Sequence, residues 1–218
     1  MSNSNSSQKE TKPSSKIWNV PNILTMGRII LALVMFVVIP FKCYWAAMIL
    51  FIVAAGTDWL DGWWARKFNQ VSKLGRIMDP LADKLIVCGA FIYLVAIPDL
   101  QIINLPRCAC NWGLAPWMVV VIVLRELIVT VIRSAVESSG GDFSAKWLGK
   151  CKMLLQCIAI PACFLYLIVL HNTSFGQQPP RWLILVLITS LWGTVVLSVY
   201  SCVQYIIAAA RFAAKSDD

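Results

Sequence analysis

The sequence predicts an all-α integral membrane protein, a bundle of six transmembrane helices. Composition is the first reason: 59% of the 218 residues are hydrophobic and 14% are charged, whereas an average soluble domain is about 45–50% apolar. The second reason is the length of the apolar runs, because a helix needs roughly 20 such residues to cross a bilayer. The third is the position of the basic residues, which lie at the ends of those runs.

Six apolar segments follow one another along the chain, and each predicts one helix. Arg28 interrupts the first, and the second is too short to span unless its helix continues past Gly56 into an aspartate-rich stretch. Since there is no internal repeat and no polar second domain, we expect a membrane domain over residues 19–212, between a disordered tail, 1–18, and a short tail, 213–218. The six segments are residues 23–40, 44–55, 81–98, 117–136, 153–170 and 182–210.

The Lys and Arg residues predict the orientation of this bundle. An even number of spans places both termini on one side, and most basic residues then fall on that side, with Lys42, Arg107 and Arg181 on the other. Because cytoplasmic loops are enriched in Lys and Arg, the basic side is predicted to face the cytoplasm. The net charge of +8 does not indicate a nucleic acid partner, because the basic residues do not alternate with aromatic ones.

Cysteine and histidine predict neither a disulfide nor a metal site. The eight cysteines have no CxxC spacing, and most lie in or beside apolar runs, where small core residues are expected. Cys108 and Cys110 lie in a predicted external loop and could pair with other cysteines, although their spacing is a weak signal. His171, the single histidine, is also predicted to lie in a loop and cannot form a histidine metal site alone.

Four aspartates lie within residues 57–84 of this apolar chain. Asp58 and Asp61 are three residues apart on the continued second helix, and Asp79 and Asp83 are four apart on the next, so each pair shares a helix face. Carboxylates held close together repel one another unless cations lie between them. Oxygen donors are those that Mg²⁺ and Mn²⁺ prefer, and two such ions can hold a diphosphate.

Two other interpretations of these aspartates remain open at this point. A single acidic residue near a helix end is commonly a solvated cap. Intramembrane aspartates can also bind the ions of a cation transporter or channel. The transporter does not explain why Gly62, Arg66 and Gly75 stand at fixed spacing among the aspartates.

The aspartates, glycines and arginine of this stretch together form a pattern that resembles a known family signature. It reads Asp58, two residues, Asp61-Gly62, two residues, Ala65-Arg66, eight residues, Gly75, three residues, Asp79, three residues, Asp83. All eight positions match the signature of the CDP-alcohol phosphotransferases, a family in which a nucleotide-activated lipid donates its phosphatidyl group to an alcohol and releases CMP. Other segments resemble the bacterial phosphatidylglycerophosphate synthases of that family: "NVPNILTMGRII" at 19–30, "LRELIVTVIRSAVE" at 124–137 and "WLGKCKMLLQ" at 147–156.

The resemblance implies roles for the residues of this pattern. Two ions, Mg²⁺ or Mn²⁺, would be ligated by Asp58, Asp61, Asp79 and Asp83, the last of which would also be the general base. The CDP site would be lined by Asp61, Gly62, Ala65, Arg66 and Gly75. The resemblance also implies a homodimer in the bacterial cytoplasmic (inner) membrane, with its active site facing the cytoplasm.

The acceptor implied by the resemblance is glycerol-3-phosphate, whose dianionic phosphate needs basic side chains. Arg125 is the first candidate, because a charge within an apolar helix is costly and is usually functional. Glu126 is its neighbour in the chain but faces another direction, so either residue can pair with a different helix. Arg133, Lys150 and Lys152 match basic positions of the resembled synthases, although snorkelling or orienting residues have the same chemistry.

We therefore expect an enzyme that moves the phosphatidyl group of CDP-diacylglycerol to glycerol-3-phosphate. Alternatives within the family are a cardiolipin synthase, whose acceptor is phosphatidylglycerol, and a member that uses an inositol phosphate. The alternative from another class is the cation transporter, which predicts cation flux and no CMP release.

Overall fold

The structure, a computed structural model, describes residues 20–68, 73–103, 111–138, 146–172 and 179–216. Side chains are described in these ranges except at residues 20–24, 58–68, 73–80, 135, 137–138, 146–148, 150 and 212–216. The elements are α1 (Val20–Val38), a 3₁₀ turn (Ile39–Phe41), α2 (Tyr44–Phe68), α3 (Lys73–Val95), α4 (Pro98–Gln101), α5 (Pro116–Ser138), α6 (Lys146–Asn172) and α7 (Arg181–Ser216).

Each predicted apolar segment lies on a separate long helix, which confirms a mainly helical fold. The continuation of the second helix is also confirmed, because α2 runs through the aspartate stretch to Phe68. α3 begins at Lys73, before the apolar segment that predicted it, and is helical through Pro80. The earlier start has a simple reason, since Lys and Arg are good helix formers although they do not belong to an apolar run.

The outer faces of the helices are apolar. In the described part of the chain, two stretches are long and apolar enough to cross a membrane, Cys151–Asn172 in α6 and Arg181–Arg211 in α7. α5 has an exposed apolar stripe with a spacing of seven residues: Trp117, Leu124 and Val131 are 50%, 51% and 67% exposed. Soluble proteins rarely expose large apolar patches, so these faces indicate a membrane protein.

Ring contacts bring particular helix ends together. Phe36, near the end of α1, stacks on Tyr93, near the end of α3, with ring centroids 5.1 Å apart. Tyr44, the first residue of α2, makes an edge contact with His171 in the last turn of α6, with centroids 5.6 Å apart. The prediction that His171 lies in a loop is therefore wrong: α6 extends through Asn172, and this last turn packs against the start of α2.

Tryptophans complete this end of the bundle. Trp192 of α7 makes edge contacts with Trp112, just before α5, and with Trp117 in the first turn of α5, at centroid distances of 5.6 and 5.9 Å. We call the region of these ring contacts the aromatic end. The rest of the bundle, which we call the charged end, begins at the middle turns of α3, α5 and α7, which carry Asp83, Glu126 and Ser201. It continues to the last turns of α2, α5 and α7 and the first turns of α1, α3 and α6.

An apolar core lies between the helices. Phe51, Phe91 and Ile122, from α2, α3 and α5, are at most 1% exposed. α1 and α3 approach closely, because a Cβ atom added at Gly89 would lie 2.1 Å from Cζ of Phe36. This packing fixes the helices relative to one another and so determines which polar side chains meet at the charged end.

Some predictions concern residues outside the described ranges, namely the tail 1–18 and the pair Cys108 and Cys110. The last helix continues through Ser216, into the segment predicted as a short tail. The division of the chain into tails and a membrane domain stays a prediction.

Candidate active site at the charged end

The aspartate pattern lies on α2 and α3, toward the charged end. Continuous helix through both stretches keeps Asp58 one turn from Asp61, and Asp79 one turn from Asp83. Eight of the predicted site residues have side chains outside the described part: Asp58, Asp61, Gly62, Ala65, Arg66, Gly75, Asp79 and Lys150. Their roles stay predictions.

Asp83 is the member of this pattern whose side chain is described, and it is half-buried on α3. Its carboxylate is close enough to interact electrostatically with Lys84 and Cys88 of α3 and with Lys152 of α6. Asp83 is therefore within electrostatic range of Lys152, one of the residues predicted to bind the acceptor.

The donor set of the pattern fits a hard divalent cation, because it consists of carboxylate oxygens with no His or Cys at matching spacing. Among the described side chains, no group of three or more His, Cys, Asp or Glu residues is placed to hold a metal ion. Of the four aspartates, Asp83 alone belongs to that described set. The fit thus rests on the donor chemistry.

A buried ionic cluster lies next to Asp83, centred on the carboxylate of Glu126. Its Oε1 atom accepts hydrogen bonds from Arg125 Nη1 at 3.2 Å and from Gln156 Nε2 at 3.3 Å, and it forms an ion pair with Lys152 Nζ. These four residues are 3% to 8% exposed. Arg125 and Lys152, both predicted acceptor residues, are thus brought together from α5 and α6 by one carboxylate oxygen.

The expectation that Arg125 and Glu126 face different directions needs a correction. Their Cα–Cβ bonds diverge, as in any helix, but the long side chains bend toward each other and form an ion pair. The reason is that Glu126 is the buried carboxylate within reach of two buried cations, which are costly unless they are paired. The other part of the expectation is confirmed, because Arg125 also contacts α7 and Glu126 also contacts α6.

Two hydroxyl groups of α7 hold the two arginines of α5. Arg125 Nη2 donates a hydrogen bond to Ser201 Oγ at 2.6 Å, and Ser201 is 1% exposed. Arg133, which is exposed, donates from Nη2 to the hydroxyl of Tyr205 at 3.1 Å, and its guanidinium lies 5.8 Å from the centre of the same ring. Among the described residues, Arg125 Nε has no hydrogen-bond partner.

A lysine links α3 to the same cluster. Lys84 Nζ donates a hydrogen bond to Thr130 Oγ1, and Thr130 Oγ1 donates to the backbone carbonyl of Glu126 at 2.6 Å. Lys84 follows Asp83 in the chain, and these hydrogen bonds place it next to the Glu126 cluster in space. α3, which carries Asp83, is connected in this way to α5, which carries Arg125.

Basic residues outnumber carboxylates among the described side chains of this region. Four basic residues, Arg125, Arg133, Lys84 and Lys152, stand near two carboxylates, Asp83 and Glu126. Ionisable side chains in an apolar interior are costly and mark a functional site by default. Arg and Lys are the residues that bind phosphate groups. The cluster is therefore suited to an anion.

Arg28 is another arginine inside the bundle. It is 1% exposed on α1 and lies on the same helix face as the buried residues Thr25, Ala32 and Met35. An arginine in a membrane helix can pair with a lipid headgroup or with an acidic neighbour. Its burial favours a partner inside the bundle.

Sequence reasoning missed five members of this site: Lys84, Thr130, Gln156, Ser201 and Tyr205. Gln156 and Ser201 carried a usable signal, because each is a polar residue within an apolar helix, and each is almost fully buried. Such residues in a membrane helix are usually hydrogen-bonded to another helix. Lys84 and Tyr205 had no comparable signal.

Comparisons with known proteins identify the family of this chain. The sequence model of the CDP-alcohol phosphatidyltransferase family matches residues 18–200. A protein of Bacillus subtilis named CDP-diacylglycerol–glycerol-3-phosphate 3-phosphatidyltransferase is 37% identical over 175 residues, which cover 73% of this chain and 80% of that protein. A protein of Arabidopsis thaliana with the same name and the number 2 is 32% identical over 200 residues, 85% of this chain and 81% of its own length.

A third relative, from Shigella flexneri, bears the name CDP-diacylglycerol–glycerol-3-phosphate 3-phosphatidyltransferase and is 29% identical over 197 residues, 88% of this chain and 95% of that protein. The members of the matched family are transferases and generally use divalent metal ions. The resemblance found in the sequence is confirmed: this chain belongs to the CDP-alcohol phosphatidyltransferase family.

Proposed function

We propose that this chain transfers the phosphatidyl group of CDP-diacylglycerol to glycerol-3-phosphate, giving phosphatidylglycerophosphate and CMP in phospholipid biosynthesis. The relatives carry this reaction in their names and align with most of the chain. The observation that carries the proposal is the buried pair of basic residues Arg125 and Lys152, within electrostatic range of Asp83. The phosphate of a phosphorylated acceptor is an anion that these two side chains can bind.

The proposed setting is the bacterial cytoplasmic membrane, crossed by six helices. α1, α2, α3, α5, α6 and α7 are the spans, and the charged end faces the cytoplasm. Support comes from the basic residues. Most of them lie in chain segments that adjoin the charged end, whereas Lys42 and Arg181 adjoin the aromatic end. CDP-diacylglycerol would then enter from the lipid, with its headgroup at the charged end. A homodimer is part of the proposal by resemblance only.

Asp58, Asp61, Asp79 and Asp83 would hold the divalent ions, two Mg²⁺ or Mn²⁺. When bound, such ions neutralise the diphosphate, activate an oxygen nucleophile and stabilise the leaving phosphate. The remaining pattern residues would form the CDP site, with Arg66 at the nucleotide phosphates and no side chain at Gly62 and Gly75 to obstruct the headgroup.

The acceptor would bind on the side of Asp83 opposite the proposed CDP site. Arg125 and Lys152 would hold its phosphate, with Arg133 and Lys150 contributing charge around it. With its phosphate held there, glycerol-3-phosphate would direct its primary hydroxyl at Asp83. Asp83 accepts the hydroxyl proton as the hydroxyl oxygen attacks the phosphorus that bears diacylglycerol. The bond from that phosphorus to the CMP phosphate breaks, and CMP leaves.

The experiment that tests this proposal measures CMP release by the purified protein in detergent. CDP-diacylglycerol and Mg²⁺ or Mn²⁺ are supplied with glycerol-3-phosphate, phosphatidylglycerol, inositol or inositol phosphate in separate reactions. We expect release with glycerol-3-phosphate alone, and loss of release when the divalent ions are chelated. Release with another acceptor would contradict the proposed substrate while keeping the transferase.

The cation transporter is tested in the same preparation. No CMP release with any acceptor, together with cation flux into liposomes that contain the protein, would overturn the proposed reaction. The Asp83→Asn variant is the matched control, because it removes one charge from the proposed site and changes no residue of the apolar core.

A further inference from the structure

We infer that Glu126 and Ser201 are positioning residues, which hold Arg125 and Lys152 in the arrangement that receives the acceptor phosphate. This inference rests on the proposed function, and it adds two residues that touch the cations and not the reacting atoms. It follows from the contacts of one carboxylate and one hydroxyl in the buried cluster.

Glu126 holds the two cations together. One carboxylate oxygen, Oε1, is shared by Arg125 Nη1, Lys152 Nζ and Gln156 Nε2. Arg125 and Lys152 are each 6% exposed, so their mutual repulsion is poorly screened by water. Without Glu126, two like charges would share one buried region, and the flexible lysine would move away from the arginine.

Ser201 fixes the orientation of Arg125. The guanidinium is held at Nη1 by Glu126 on its own helix and at Nη2 by Ser201 on α7. Hydrogen bonds at two separate nitrogens restrict the rotation of this planar group. Its Nε has no partner among the described residues, although it is buried. The fixed guanidinium thus keeps donor capacity for an oxyanion.

The cluster is poorly explained by stability alone. Removing two cations and a carboxylate from water costs several kcal/mol per ion, and well-packed apolar residues would often stabilise the fold as well or better. The cluster also lies at the charged end beside Asp83, whereas the aromatic end is built from rings. Two basic side chains held by neutral and anionic partners are arranged for an incoming anion.

The decisive comparison is Ser201→Ala against Ser198→Ala. Ser198 lies one turn earlier on α7, is 0% exposed, and its hydroxyl has no hydrogen-bond partner among the described residues. The two substitutions remove the same atom from equally buried sites of one helix. We expect Ser201→Ala to raise the KM for glycerol-3-phosphate about tenfold, as for one lost hydrogen bond to a charged group, and Ser198→Ala to leave it unchanged. The KM for CDP-diacylglycerol should stay constant in both.

Glu126→Gln tests the carboxylate with its shape preserved. The amide oxygen can still accept one hydrogen bond, but the charge that balances the two cations is lost. We expect the KM for glycerol-3-phosphate to rise by more than tenfold, with a smaller change in kcat, and Glu126→Asp to recover part of the loss. A lower KM in Glu126→Gln would overturn the inference, because Glu126 would then be competing with the phosphate for the cations.

A binding measurement separates this inference from the proposed function. Protection of the purified protein against thermal unfolding by glycerol-3-phosphate, and by inorganic phosphate, gives a Kd that does not depend on turnover. Wild-type protein that releases no CMP with glycerol-3-phosphate would contradict the proposed function. Equal Kd values for Ser201→Ala and Ser198→Ala would overturn the positioning role, whatever the reaction. A Kd raised in Ser201→Ala alone would support it.

Discussion

The two ends of this bundle are built from different kinds of side chain. At the aromatic end, four pairs of rings have centroid distances between 5.1 and 5.9 Å and adjoin a core of buried apolar side chains. At the charged end, Arg125, Glu126 and Lys152 are buried together and lie next to Asp83. The difference supports a division in which packing at one end holds the helices and polar groups at the other serve the proposed chemistry.

This division has a physical basis. Buried charges contribute little net stability, because the cost of removing them from water offsets their attraction. Ring packing has no comparable penalty and contributes both area and specific contacts. A variant at the charged end should therefore change activity more than stability, and a variant at the aromatic end should do the reverse.

The largest effect on activity is expected for Asp83→Asn. Loss of the carboxylate removes the proposed general base and one metal ligand, and CMP release should fall by about a thousandfold. The apparent melting temperature in detergent should stay near that of the wild type, because no core contact changes. Asp79→Asn is predicted to behave in the same way. Normal activity in the purified Asp83→Asn protein would remove the metal-site assignment.

Arg125→Ala should weaken acceptor binding. The KM for glycerol-3-phosphate is expected to rise by about a hundredfold, as when one partner of a buried charge pair is truncated, while the KM for CDP-diacylglycerol stays nearly constant. Folding should tolerate the change, because Glu126 keeps Lys152 and Gln156 as partners. Arg133→Ala, at an exposed position, serves as the milder comparison. An effect confined to CDP-diacylglycerol would show that Arg125 has another role.

Phe36→Ala tests the aromatic end. The variant loses the stack on Tyr93 and the packing against Gly89, and the free energy of unfolding should fall by about 2 kcal/mol. The kcat and both KM values of the folded enzyme should not change. Val37→Ala, at a position 61% exposed on the same helix, is the control and should change the melting temperature little. A loss of activity without a loss of stability would contradict the division between the two ends.

The smallest effect is expected for Trp192→Phe. The smaller ring keeps the apolar character but weakens the edge contacts with Trp112 and Trp117, at a cost of about 1 kcal/mol in unfolding free energy. Trp182→Phe, at an exposed position on the same helix, provides the comparison. Thermal unfolding of the two purified variants in one detergent distinguishes them, and equal melting temperatures would assign no stability to these ring contacts.

Much of the fold could be predicted from the sequence, because long apolar runs leave few alternatives to helices. The continuation of α2 through the aspartates followed from the shortness of its apolar run, and the structure confirms it. The start of α3 could not be found in the same way, since its first turns contain Lys73 and Arg76 and no apolar run. The number of spans and the dimer stay predictions.

The site was predictable in part. Arg125 stood out because it interrupts an apolar helix, and Lys152 because it matched a resembled position. The contact between Arg125 and Glu126 was missed, because helix geometry gives the direction of Cβ and not the position of a long side chain's end. Ser201 is 76 residues from Arg125 in the chain, and the two are partners because α7 packs against α5 with Ser201 facing Arg125.

The most direct test of the central claim is to identify the lipid product. Purified protein would be incubated with CDP-diacylglycerol, a divalent metal ion and isotope-labelled glycerol-3-phosphate, and lipids and CMP would be quantified by mass spectrometry. The account predicts labelled phosphatidylglycerophosphate in equal amount to CMP, and none of either above background with the Asp83→Asn protein. CMP without labelled lipid, or a labelled product formed equally by Asp83→Asn, would contradict it.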